Sequence, residues 1–365
     1  MHRTPLQASP ATDIKPPRTR IGLVGWLRAN LFSTWYNSAL TLATVYLLWR
    51  ILPPFVRWAF VDSLWTSSSQ ECQAIDGACW SVIPANIRFI FFGFYPYGEQ
   101  WRPAIAVALL VSLLIYSQYR GNWKKHLIYL WLAGLVGMGV LMRGGIFGLT
   151  PVETTKWGGL PLTLLLAVFG LTAAYPLGIL LALGRQSRLP AVKTLSVVYI
   201  ELIRGVPLIS LLFMSSVVFP LFLPEGVTIN KILRAQVAII LFTAAYIAEV
   251  VRGGLQGMPK GQYEAAESMG LNYTQTMRLI ILPQALKIVI PPSVSILISA
   301  FKDTSLVVII ALYDLLKTTQ SVLGDPRWMG YSAEAYIFIA LIYFVCCFYM
   351  SNFSRKLERQ LGTGR

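Results

Sequence analysis

The sequence predicts an all-α integral membrane protein with about eight transmembrane helices. Three observations carry that prediction. The 365 residues are 55% hydrophobic and only 13% charged, with a mean hydropathy of +0.59, whereas soluble domains carry roughly 25% charge. Apolar runs recur that approach the roughly 20 residues a helix needs to cross a bilayer. Lysine and arginine, 31 against 16 acidic residues, gather between alternate runs, as they do on the cytoplasmic side of membrane proteins. The same bias accounts for the net charge of +15, so no nucleic-acid partner is expected. No segment has the composition of a long soluble domain, and the 11 Trp suit anchoring in membrane lipid at the interfaces.

Residues 1–37 are basic and contain Pro5, Pro10, Pro16 and Pro17. They carry no cleavable signal pattern and read as a cytoplasmic tail, at least partly disordered. The first span covers about 38–61 and is interrupted by Arg50, Pro53, Pro54 and Arg57. Its arginines are tolerable if they snorkel towards one end. A loop over about 62–102 follows, then spans at about 103–119 and 127–142, joined by Arg120, Lys124 and Lys125. Five further spans fall at about 158–184, 203–223, 233–251, 286–302 and 335–353, with a basic tail over 356–365.

An even number of spans puts both termini on one side. Placing them in the cytoplasm gives the cytoplasmic segments more than half of the Lys and Arg, which favours that orientation. It also puts the loop at 62–102 in the periplasm. Cys72 and Cys79, which flank QAIDGA in that loop, are then expected either as a disulfide or as free thiols. Cys346 and Cys347 lie inside the last apolar run, and none of the four has metal-ligand spacing.

Four segments after residue 155 carry chemistry. The stretch 261–283, GQYEAAESMGLNYTQTMRLIILP, is polar and helix-prone between two apolar runs, so it must leave the membrane. Gly270 suits the left-handed residue that follows a helix. Asn272 with Gln275 suits a capping box opening a second helix that runs to Pro283. Ala265 and Ala266 would leave a low surface for a partner, and Glu264 a charge. Second, Glu201 and Arg204 stand three apart before Gly205 and Pro207. They can pair on one helix face, as an interfacial ion pair or as part of a substrate path. Third, Glu249 and Arg252 repeat that spacing before Gly253-Gly254, which read as a hinge or as a plain helix end. Fourth, Lys302-Asp303-Thr304-Ser305-Leu306 interrupts an apolar stretch. Asp303 there suits the cap of a half-helix begun by Thr304 and Ser305 that meets substrate, or else a membrane-edge turn.

The spacing Glu264-Ala265-Ala266, Gly270, Ile280, Leu282, Pro283 matches at every position the EAA motif of ABC-importer membrane subunits. Together with E-L-x-R-G-x-P-L, Y-x-A-E-x-x-R-G-G, P-K-G-Q-x-E-A-A, L-P-Q-A and K-D-T-S-L, it resembles the permease subunits of polar-amino-acid ABC importers (the histidine, glutamine and arginine uptake group). The N-terminal extension and the run Cys72…Cys79-Trp80 look like the M-type membrane subunit of general L-amino-acid transporters.

The resemblance implies a five-helix type I permease core over 156–355 behind a three-span extension over 38–155. It implies a cytoplasmic coupling loop at 252–285, in a bacterial inner membrane. It further implies a second homologous permease subunit, two copies of an ABC ATPase and a periplasmic amino-acid-binding protein. The chain has no G-x-x-x-x-G-K-[ST] phosphate loop, so ATP and Mg would be held by the partner ATPase, and no cofactor or catalytic residue is expected in this chain. An ion-coupled secondary transporter is the alternative; it would use Glu201, Glu249 and Asp303 and leave the 261–283 segment unexplained.

Overall fold

The computed structural model describes residues 22–361, which form two compact units, residues 22–79 and 80–361. Seven helical stretches among the described residues are long and apolar enough to cross a membrane. Two shorter helical stretches, Pro190–Gly205 and Leu208–Phe222, are bent by 104° to each other and make an eighth only if counted as one span. Residues 1–21 and 362–365, which hold most of the expected N-terminal tail and the end of the C-terminal one, lie outside the described residues.

The first unit opens with α1 (Gly22–Asn30) and α2 (Trp35–Val56), so helix already occupies part of the stretch read as tail. Thr34 caps α2 through the Asn37 amide. The helix passes Pro53 and Pro54, ends in a π turn at Arg57–Val61, and is closed by an Arg57–Asp62 ion pair of 3.4 Å. The chain then folds back on this end. The one-turn α3 (Ser69–Cys72) starts from a Ser68–Glu71 capping box, and the Ala78 amide donates to the Trp58 carbonyl at 2.9 Å. The structure joins Cys72 to Cys79 in a disulfide, Cα to Cα 5.6 Å. Both sulfur residues and Ala78 are fully buried in this small knot.

The second unit holds α4 (Val82–Phe92), α5 (Trp101–Ser117), α6 (Lys125–Arg143), α7 (Gly159–Arg185), α8 (Pro190–Gly205), α9 (Leu208–Phe213) and α10 (Lys231–Gln256). It continues with α11 (Lys260–Ser268), α12 (Tyr273–Gln275), α13 (Leu282–Asp303), the short strand β1 (Tyr313–Asp314), α14 (Leu315–Leu323) and α15 (Ser332–Leu361). The helix α4 is a correction to the expected polar loop over 62–102. Its eleven residues, VIPANIRFIFF, are too few to cross a bilayer, and it packs on α7, α14 and α15 instead. The tail expected from 356 is likewise helical through Leu361, as the end of α15.

The central contact is α7 against α10. Gly170, Ala174, Gly178 and Ala182 recur every four residues on the buried face of α7, and small side chains let two membrane helices approach closely. Ile239, Ala244 and Ile247 of α10 fill that stripe. Two apolar cores result. One joins Leu110 of α5 and Met142 of α6 to Leu166, Leu212, Ile239 and Val307. The other joins Ile200, Ile247, Val251, Leu255, Ile281 and Ala285. The helices α5 and α6 therefore share a core with the rest of this unit.

Arg102 shows why no gap opens at residue 155. It is fully buried at the start of α5. Its guanidinium donates to the Leu141 carbonyl at 2.7 Å and the Thr150 carbonyl at 2.8 Å, and meets Glu99 at 3.4 Å. A buried charge is tolerable when paired and hydrogen-bonded in this way, and the bonds pin the 144–151 turn to the end of α6. Beyond it, β1 pairs with Gly158 and Gly159 at the head of α7. Asp314, wholly buried, caps α14 by accepting from the Leu316 amide at 3.2 Å and the Lys317 amide at 2.9 Å. Burial pushes its carboxyl up to about 6, against the opposite pull of those amides.

Candidate functional site

The 261–283 segment leaves the bundle after α10 and returns as α12. The helix α11 ends at Ser268 with Met269 as its C-cap, and Gly270 follows with φ +74. The Leu271 amide donates to the Ala266 carbonyl at 3.1 Å and the Gly270 amide to the Glu267 carbonyl at 2.9 Å. These bonds satisfy helix-end carbonyls through a left-handed residue, a conformation glycine takes without a Cβ penalty. Asn272 and Gln275 then form the capping box from both sides, at 2.9 and 3.0 Å. Gln284 holds the two limbs together, donating to the Gln262 side chain at 3.1 Å and the Ile280 carbonyl at 3.0 Å.

Three details of this segment differ from the sequence reading. Ala266 is fully buried, while Glu264 and Ala265 are exposed. The low outward surface is therefore Ala265 alone, with Met269, 68% exposed, beside it. Second, helix does not stop at Pro283. The chain from Tyr273 to Ile310 is one continuous 38-residue helical rod. A π turn at Thr276–Ile281 precedes Pro283, which sits in the first turn of α13, where a missing amide hydrogen costs little. Ile280, Leu282 and Pro283 thus root the segment in the span. Third, α10 runs on through Gln256, so the stretch between spans is 257–272.

This last point moves Gly253 and Gly254 into a helix. Gly253 faces open space, but a Cβ at Gly254 would stand 2.2 Å from Val289 Cγ1 and 3.1 Å from the Ala285 carbonyl. The role at Gly254 is close packing of α10 on α13, and no exit loop begins there. Gly254→Val should lower the thermal midpoint of the purified chain by an amount equivalent to about 1–3 kcal/mol, while Gly253→Ala, in open space within a helix, should raise it slightly. Equal shifts would show that the α10–α13 contact is looser than the structure has it.

The charged residues fall into two separate groups. At the coupling-segment end, Glu249 is the hub. It meets Arg185 at 2.8 Å, Arg252 at 2.9 Å and Arg204 at 3.5 Å. Arg185 also binds Glu201 at 2.9 Å, Arg252 reaches Gln256 at 2.7 Å, and Arg204 lies over the Tyr246 ring, 5.6 Å from its centre. Glu201 and Arg204, expected to pair with each other, bind different partners. Both turn instead towards α7 and α10, where more acceptors and donors converge. Arg185 was not anticipated from the sequence; its signal was a basic residue in the last turn of a long apolar helix. The network ties the ends of α7 and α8 to α10 immediately before the 104° bend at Val206-Pro207.

The second group lies far along the rod, where Thr304–Ile310 joins the other core. Asp303 ends α13 in helical conformation and caps nothing. The buried Thr304 donates to the Phe301 carbonyl at 2.7 Å and Ser305 to the Lys302 carbonyl at 2.8 Å. Both hydroxyls thus bond back to their own helix, which tightens to a 3-10 helix over Thr304–Ile310. The chain breaks only later, where Ala311 turns left-handed with φ 53 and Asp314, eleven residues after Asp303, caps the short helix α14. Neither Lys302 nor Asp303 makes an ion pair among the described residues.

A many-span helical bundle carrying an intact EAA segment between two spans is the architecture of a membrane permease. Residues 174–363 match the family model of the binding-protein-dependent transport system inner membrane component. The inner membrane amino-acid ABC transporter permease protein YhdY of Escherichia coli K12 is 49% identical over 93% of both chains. The glutamate/glutamine/aspartate/asparagine transport system permease protein BztC of Rhodobacter capsulatus is 40% identical over 94% of this chain and 95% of its own. A probable glutamine permease, GlnP of Bacillus subtilis, is 37% identical over 55% of this chain and 91% of its own. A solved amino acid ABC transporter chain is 32% identical over 55% of this chain and 92% of its own, with a TM-score of 0.49. The chain belongs to the binding-protein-dependent inner membrane permease family and is a multi-pass amino-acid ABC transporter permease.

Proposed function

We propose that this chain forms one half of the translocation path of an ATP-driven amino-acid importer and couples to a separate ATPase through the Glu264 segment. The observation that carries this reading is the construction of 257–272. It is a capped helix-turn-helix with an exposed acid and a low alanine, rooted at one end in α10 and at the other in a continuous span. Force applied at Glu264 and Ala265 would pass into both spans through two short links, 257–259 and 269–272.

In this reading both termini and the Glu264 segment face the cytoplasm, and the Cys72–Cys79 knot faces the periplasm. Two ATPase copies hold ATP and Mg, a second homologous permease completes the path, and a periplasmic amino-acid-binding protein delivers substrate. Asp303, Thr304 and Ser305 border the path near its outer half. The Glu249 network closes its inner end. Residues 38–155 extend the 156–355 core, which fits the alignment of GlnP to little more than half of this chain. The range of amino acids is broad. An ion-coupled secondary transporter gives the 257–272 segment no work.

The test is uptake by proteoliposomes holding the complete complex. Amino-acid uptake should need ATP inside, binding protein outside and no ion gradient. Asp303→Ala should reduce uptake while the ATPase stays bound. Uptake driven by a proton or sodium gradient without ATPase would overturn the proposal.

A further inference from the structure

We propose that the second unit holds a binding site for one anionic phospholipid in a groove beside the coupling segment. The groove has a volume of about 620 Å³ and is bounded by the end of α7, the start of α8 and the first turns of the 273–310 rod. Leu180, Leu183, Val192 and Met277 give it an apolar wall, and Arg188 and Arg278 both line it. Among the described residues no aspartate or glutamate does.

The two arginines differ from their neighbours. Arg185, three residues before Arg188, is engaged by Glu201 and Glu249. Arg188 and Arg278 are exposed and make no ion pair among the described residues. Two unpaired guanidinium groups over a hydrocarbon wall fit a ligand with a phosphate at one end and an acyl chain at the other. Guanidinium is the side chain best suited to phosphate oxygens. Basic pockets between membrane helices recognise anionic headgroups by this combination.

Position agrees with chemistry. Arg188 follows the end of the span Gly159–Arg185, and Arg278 lies in the second turn of the span Tyr273–Ile310. Both therefore stand where a span meets the headgroup layer, the level that cationic side chains seek. The apolar wall continues out of the groove along α8. Val192, Leu195, Val198 and Leu202 share one face of that helix and are 41–72% exposed. An acyl chain can run along this face. A free phosphate would leave the wall in water, and a zwitterionic lipid would bring a choline or amine against two arginines. A bound lipid would touch both α7 and the root of the coupling segment, but binding itself does not depend on the coupling role.

Native mass spectrometry of the purified full chain in mixed phosphatidylglycerol and phosphatidylcholine tests the site. The wild-type chain should retain phosphatidylglycerol preferentially, and R188Q/R278Q should weaken that retention roughly thirtyfold. R188K/R278K should keep most of it. Because neither arginine has an ion-pair partner among the described residues, the thermal midpoint without added lipid should be equal in all three, which separates lost binding from lost folding. Equal retention by wild type and R188Q/R278Q would overturn the proposal. Displacement of the lipid by glycerol phosphate at equal concentration would make the site an anion site only. Efficient crosslinking of Arg278→Cys to another protein in native membranes would make the groove a protein interface. Either result also rejects the lipid.

Discussion

Glu249→Ala should cost the permease about 2 kcal/mol of stability, more than any other single charge removal in the network. The reason is the count of partners. Glu249 answers three arginines, and its side chain is only 15% exposed. Removing one carboxylate leaves Arg185, Arg204 and Arg252 close together with Glu201 as the remaining acid. An uncompensated buried charge costs about 3–5 kcal/mol. The arginines here are 23–35% exposed, and Glu201 and Gln256 still serve two of them, which brings the expected figure down. Glu201→Ala is the internal comparison. That side chain is 55% exposed, where ion pairs are worth about 0–1 kcal/mol. Glu249→Gln keeps the volume and one acceptor but not the charge, and should fall near Glu249→Ala. Thermal unfolding of the purified chain in detergent reads all three. Equal losses for Glu201→Ala and Glu249→Ala would show that the hub is no hub.

Gly270→Val should uncouple ATP hydrolysis from uptake, with most of the transport rate lost and the ATPase still active. Gly270 lies at φ +74, with nothing within 4 Å of where a Cβ would stand. The obstacle is therefore the backbone and not a clash. A β-branched residue in the left-handed region costs about 1–2 kcal/mol. The chain can relieve that by moving φ, which breaks the Leu271–Ala266 closure and re-aims the Asn272–Gln275 capping box. Gly270→Asn should be much milder, because asparagine visits this region readily. Glu264→Ala should weaken ATPase association without altering the bend. Coupled uptake at the wild-type rate in Gly270→Val would remove the turn from the mechanism. An identical defect in Gly270→Asn would assign the loss to some cause other than backbone strain.

Much of this molecule was legible beforehand, and the reasons are local. Seven spans follow from apolar length, which a bilayer imposes directly, whereas the span expected at 203–223 is one limb of a pair bent by 104°. The turn at Gly270 and the capping box at Asn272 and Gln275 follow from short-range backbone chemistry that no distant contact revises. The helix α4 was hidden because eleven apolar residues meet no membrane-length criterion, although they meet the helical one. Asp303 and Asp314 look alike in sequence, both acids beside apolar runs. The rod runs past Asp303 as a 3-10 helix through Ile310. It breaks at Ala311, whose left-handed conformation no side-chain preference announces.

The partners of the charges were decided by packing. Spacing of three residues made Glu201–Arg204 and Glu249–Arg252 equally eligible pairs, and only the second forms. The choice was made by α7, which delivers Arg185 from sixteen residues before Glu201 and sixty-four before Glu249. Gly254 similarly looks the same in sequence whether it hinges or packs, until Val289 arrives beside it. Sequence by itself determined the membrane class, most of the spans and the motif with its turn, because each depends on length, hydropathy or neighbours in the chain. Tertiary structure decided which charges meet, which alanine of the motif faces out and which glycine is compressed. Those depend on contacts between residues far apart in the chain, which only the close approach of α7, α10 and α13 brings together.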